Sequence, residues 1–271
     1  MNTRLMKGQK VLQGYLSAKN PVDTWVSGTF AIAFWTVNHL WHLGKYNLGL
    51  SSCLGGTGMC ISADIVQEFG WGCDCLTEDM EFSMKCLSHG IRTCWVHDAI
   101  IYDEKPLTFM ASWRQRKRWA QGQFDCSERY IPILMKEGFK RHSIVVLDGI
   151  MQLLQNYFLL ISAFYLVMTY INMFYPCFTV VLYNDALVPR QFWSVLGTIQ
   201  YVLPLIVLLQ IEVPAKIYLY WLIYPVFMYS WVPVTFLGWI HRHEKQWVHT
   251  IHTRSMQFQA ASLTRKKEID S

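Results

Sequence analysis

Charged positions are spread very unevenly along this chain, and that pattern predicts its layout. No Asp, Glu, Lys or Arg occurs from Gly149 to Asn184, from Gln191 to Ile211, or from Ile217 to His241. A bilayer-crossing helix takes about 20 mostly apolar residues, so each run is long enough to span. Pro204, Pro225 and Pro233 lie inside the last two runs, a placement membrane helices tolerate better than soluble ones. Residues 1–143 read differently, with recurring charges and apolar stretches broken by Gly, Asn and Asp. The stretch Trp25 to Trp41, interrupted by Ser27, Thr29, Asn38 and His39, predicts a buried amphipathic helix rather than a span. Further on, "SWRQRKRWAQGQF" predicts a helix with two faces. Gln115, Arg118, Trp119 and Gly122 fall on one, while Met110, Trp113, Ala120 and Phe124 form an apolar second. The expected layout is a cytosolic domain over 1–143, a membrane block of three or four transmembrane helices over 144–240, and a basic polar tail over 241–271.

Composition agrees with a membrane protein: 16% of residues are charged, against about 25% in a typical soluble domain. The tail carries Arg242, Lys245, Arg254, Arg265, Lys266 and Lys267, and basic flanks of this kind favour the cytoplasmic side. A cytoplasmic domain and a cytoplasmic tail call for an even number of spans, whereas the charge-free runs number three. The run from Gly149 is too long for one span and barely long enough for a hairpin, so the span number stays open. The opening "MNTRLMKGQK" has no apolar core of the kind a signal peptide needs. No C-x-x-C pair exists; Cys73 and Cys75 are one residue apart and Cys177 sits alone, so all eight cysteines are expected as free thiols. His241, His243, His249 and His252 alternate with Lys245, Trp247 and Arg254, which suits a helix at the lipid surface better than a metal cluster. The basic residues do not gather on one long soluble face, which weighs against nucleic-acid binding.

Two stretches carry candidate chemistry. In "CLTEDMEFSMK", Thr77 can cap a helix whose first turn holds Glu78 and Asp79, an arrangement the helix dipole favours by about 0.3–1 kcal/mol. Alternatively, one of these acids is a catalytic base. In the second stretch, Gln115, Arg118 and Trp119 offer an amide, a guanidinium and an indole, a set suited to phosphate oxygens and to the flat face of a sugar ring. The competing reading is a surface helix with Arg114, Arg116 and Lys117 on lipid phosphates. Gly55, Gly56 and Gly58 of "GGTG" match neither the Walker nor the dinucleotide-binding spacing and are read as a tight turn.

Thr77-Glu78-Asp79, followed by Gln115-x-x-Arg118-Trp119 and then by apolar helices, resembles the family 2 processive glycosyltransferases, the cellulose, hyaluronan, chitin and poly-N-acetylglucosamine synthases. "LGGTGMCISADIVQEFGW" and "YDEKPLTFMASWRQRKRW" are similar to family segments that shape the acceptor end and lead into the signature helix. The resemblance implies the C-terminal half of an α/β GT-A-type glycosyltransferase domain followed by an α-helical transmembrane block. It implies that Asp79 is the general base, that Thr77 and Glu78 line the acceptor end, and that Gln13 precedes the acceptor region. Gln115 and Trp119 would contact the terminal sugar, and Arg118 the nucleotide diphosphate. The implied partners are a UDP-sugar donor, a polysaccharide acceptor, the lipid bilayer and an accessory export subunit, with a cytoplasmic catalytic domain on a multi-pass plasma-membrane protein.

Members of that family hold Mg²⁺ or Mn²⁺ on the donor diphosphate with an Asp-x-Asp motif, and no D-x-D occurs in these 271 residues. The expectation is therefore a fragment of a longer synthase, inactive alone. Rival readings are a non-catalytic membrane subunit that binds a glycan or a synthase, and a non-processive transferase acting on a lipid-linked acceptor.

Overall fold

The computed structural model describes residues 1–175 and 190–244. A short helix α1 (Asn2–Met6) leads into β1 (Val11–Ala18), all eight of whose residues are buried. β1 is the middle strand of a three-stranded mixed sheet. It pairs antiparallel with β2 (Met59–Ile61) and parallel with β3 (Thr93–Asp103), with a register shift between Gly14 and Tyr15. Tyr15 and Ser17 share one face of β1 because strand residues alternate.

On that face lies α2 (Trp25–Thr36), which continues through a π-helical turn at Val37–His42 into α3 (Leu43–Asn47). The expected helix at Trp25–Trp41 is present, but it is not amphipathic. Ser27, Gly28 and Thr29 are buried along with Val26, Phe30, Ala31 and Ile32. Ser27 and Thr29 are satisfied in the first turn of the helix, and Asn38 Nδ2 donates to the Leu16 carbonyl of β1 at 2.8 Å. Thr24 Oγ1 accepts the Ser27 N–H at 3.1 Å and Thr29 Oγ1 donates to the Trp25 carbonyl at 2.9 Å. Bonds of this kind let small hydroxyl residues go inside.

Helices α4 (Ala63–Phe69) and α5 (Glu78–Ser88) cover another part of the sheet, and α6 (Phe109–Lys140) runs across the domain. Then follow α7 (Ile144–Phe174), α8 (Arg190–Gln210), α9 (Lys216–Tyr229) and α10 (Trp231–Ile240). Two stretches, Ile144–Ile171 and Lys216–Ile240, are long and apolar enough to cross a membrane, and Val195–Gln210 is a shorter apolar segment. Pro204 and Pro225 sit inside α8 and α9 as anticipated.

One hydrophobic cluster joins Tyr15, Phe30, Ile32, Trp35 and Trp95 to Val207, Leu208, Ile217, Tyr224 and Phe227. The core therefore runs through the boundary drawn at 143/144. Cys177, Lys245, Trp247, His249, Thr250, His252 and Arg254 lie outside the described residues, and among the described residues the cysteines are free thiols.

Candidate active site

Asp79 opens α5 and faces the "GGTG" turn. Its Oδ1 accepts the Met80 N–H at 2.8 Å. Gly56, at φ +77°, stands so close that a Cβ there would lie 3.3 Å from Asp79 Oδ2. Only glycine combines that backbone conformation with that clearance at little cost. Burial pushes the Asp79 carboxyl up to about 6; Glu78 adds to the rise, while the Met80 N–H and Arg118 oppose it. Such a group is ionised at neutral pH yet still basic enough to take a proton.

Thr77 stands at the expected N-cap position, but its hydroxyl makes no capping bond. Its φ and ψ of −123° and 72° turn it away from the helix amides. Instead Thr77 packs on α6 at Gly122, where an added Cβ would meet Thr77 Oγ1 at 2.6 Å and Thr77 N at 2.7 Å. The loop before it is held by Glu81, buried at 4% exposure, whose Oε2 accepts the N–H groups of Asp74 and Cys75 at 2.7 Å each.

The face of α6 predicted from spacing meets this turn. Arg118 Nη1 donates to the Leu76 carbonyl at 3.2 Å, one residue before Thr77. Trp119 is half-buried and lies 6.0 Å from Phe30 and 6.3 Å from Phe34 between ring centres, so α2 backs it. Thr77 Oγ1, Gln115 Oε1 and Arg118 Nε are buried polar atoms without a hydrogen-bond partner in the protein. Buried polar atoms of this kind also occur outside the two motifs, but Thr77 and Arg118 meet at one turn beside Asp79, where a ligand's polar groups can pair with them.

Gln13 has a different position from the other site residues. It is 1% exposed, its Nε2 donates to the Gly14 and Thr57 carbonyls at 2.9 Å each, and its Oε1 accepts the Gly55 N–H at 2.9 Å. Its amide is thus spent on holding the turn against β1. Ser83 holds it from the other side: Ser83 Oγ accepts the Leu54 N–H at 2.9 Å and donates to the Asp79 carbonyl at 2.8 Å. Ser83 and Glu81 escaped the sequence reading because a serine and a glutamate inside a polar-looking helix give no signal of burial.

Arg116 was also missed as a structural residue. Far from touching lipid, it is fully buried among the rings of Phe109, Phe227 and Trp231, at 5.7, 4.5 and 5.2 Å. Its Nη1 donates to Ser230 Oγ at 2.8 Å and its Nε to the Ser112 carbonyl at 3.4 Å. Burial pushes this guanidinium down to about 10. The residue next to Gln115 therefore bolts α6 to the junction of α9 and α10.

Among the described residues, no group of three or more His, Cys, Asp or Glu side chains converges as a metal site.

Two comparisons bear on this site. A family described as glycosyl transferase family group 2 matches residues 4–239, from α1 through α10. A probable glycosyltransferase, YdaM of Bacillus subtilis (strain 168), is 30% identical over 80 residues, 29% of this chain and 19% of that protein's length. Since the family match takes in the sheet, both motif-bearing helices and the long apolar helices, this chain belongs to glycosyl transferase family group 2, whose members pass a sugar from a donor to an acceptor.

Proposed function

We propose that the chain carries the acceptor side of an inverting, processive synthase that extends a β-linked polysaccharide from a UDP-sugar. The observation that carries this reading is a raised carboxylate, Asp79, near enough to the Arg118 guanidinium to feel its charge, with Arg118 seated on the turn that holds Thr77. Asp79 takes the proton of the acceptor hydroxyl as its oxygen bonds to the anomeric carbon of the donor. The bond from that carbon to the diphosphate breaks on the opposite side, which inverts the linkage. The guanidinium of Arg118 meets the charge that grows on the departing diphosphate, and stabilisation of this type is commonly the largest catalytic contribution. A positioned base adds about 10²–10⁴-fold. Thr77 and Gln115 hold hydroxyls of the acceptor sugar, and Trp119 packs on its ring.

In this reading the motif-bearing domain is cytoplasmic and the apolar helices hold it at the plasma membrane as a multi-pass protein. The donor's diphosphate calls for Mg²⁺ or Mn²⁺, for which no group of three or more His, Cys, Asp or Glu side chains is found among the described residues. The test is Asp79→Asn in the whole gene product. Polymer synthesis should be abolished while UDP-sugar binding persists; unchanged synthesis would remove Asp79 from the role of base.

A further inference from the structure

A cavity of about 420 Å³ opens between the C-terminal part of β1 and the elbow Ile211–Pro214 that joins α8 to α9. None of Thr77, Asp79, Gln115, Arg118 or Trp119 lines it. Its size falls within the ~300–1,000 Å³ usual for small-ligand sites.

The cavity floor is rigid. Tyr15, Ser17 and Trp35 are 6–7% exposed, and Trp35 Nε1 donates to Ser17 Oγ at 3.0 Å, which fixes the indole and leaves the serine hydroxyl hydrogen free to donate. Asn38 Nδ2 donates to the Leu16 carbonyl at 2.8 Å and locks this part of α2 and its π-helical turn onto the strand. The wall is a pair of imidazoles, His39 and His97, packed edge to face at 4.9 Å, with Tyr15 against both. At the mouth stand Asp98, Glu212 and the exposed ring of Tyr102.

This lining selects by charge and shape. It contains two carboxylates and no Lys or Arg. Burial, and then the neighbouring His39, holds His97 below the ordinary imidazole range, against the pull of Asp98. Nucleotides and other anions are disfavoured. Carboxylates are acceptors only, and ring faces offer flat apolar surface. A neutral, polyhydroxylated ring with hydroxyls at its edge and C–H bonds on its face supplies what both need.

We propose that this cavity is a second sugar-binding site that holds a neutral segment of the acceptor chain apart from its reacting end. The proposal rests on the reading of the chain as a polysaccharide-extending transferase. It is tested by isothermal titration of the full chain in detergent with cellotetraose and chitotetraose as probes, each repeated with excess UDP. At least one probe should bind, UDP should leave its affinity unchanged, and Tyr102→Ala and Asp98→Asn should each weaken it at least tenfold. Both residues are exposed, so neither change threatens folding. Binding of neither probe, displacement by UDP, or an affinity untouched by Tyr102→Ala would each overturn the site. The reading of Asp79 fails on a separate result, normal sugar transfer by Asp79→Asn, so the two failures are distinguishable.

Discussion

An aspartate pushed up to about 6 from 3.8 costs the folded chain stability whenever it is ionised, and the sign of that cost can be checked. The folded state binds more protons than the unfolded state between roughly pH 4 and pH 6, so stability falls as pH rises through that window. Asp79→Asn keeps an oxygen for the Met80 N–H and removes the charge. We expect it to raise stability at pH 7.5 by up to about 3 kcal/mol at 1.36 kcal/mol per pH unit, read as a higher Tm, with the gain vanishing near pH 4. In the active protein the same group predicts a transfer rate that falls below about pH 6 and is level above it, measured as a pH profile of kcat/KM. Adjacent acids after Thr77 are visible in the sequence. The burial that tunes Asp79 is not, because it comes from a turn more than twenty residues upstream, set in place by Gln13 and Ser83.

At the scale of elements, α6 works on two sides. One face brings Arg118 and Gly122 to the turn before α5 and packs Trp119 on α2; the other sends Arg116 into the α9–α10 junction. Gly122→Ala should drive α6 off the Thr77 turn. Overpacking of this kind costs about 1–3 kcal/mol, so a drop in Tm together with loss of transfer is expected. Arg116 has no acid beside it among the described residues, only a hydroxyl, a carbonyl and three rings. Ser230→Ala, which strands the guanidinium, should destabilise by about 1–3 kcal/mol in thermal melts. Arg116→Met fills similar volume without a charge and should be neutral or stabilising. Spacing alone predicted the first face correctly. It misplaced Arg116 because an arginine beside Arg114 and Lys117 reads as one more surface charge.

In the whole molecule, the apolar helices are part of the domain's core. Val207, Leu208, Ile217, Tyr224 and Phe227 complete the cluster that Phe30 and Trp35 begin. A second tie is the ion pair of Lys45 and Asp148 at 2.7 Å, with side chains 7% and 16% exposed, beside which Trp41 Nε1 donates to Gln152 Oε1 at 2.9 Å. Expression of residues 1–143 alone should give an aggregating product without a cooperative melt, since it exposes that cluster to water. Recovery of a soluble, cooperatively melting 1–143 would refute a shared core.

Length, charge-free runs and helical spacing were enough to place the apolar helices and the polar face of α6. Each depends on neighbours within a few turns of one element, and periodicity records such neighbours directly. The near-complete burial of α2, the idle hydroxyl of Thr77, the employment of Gln13 by the glycine turn and the caging of Arg116 were decided only in three dimensions. Each depends on which distant segment arrives at a given side chain. A polar residue looks the same in sequence whether water or a buried partner satisfies it.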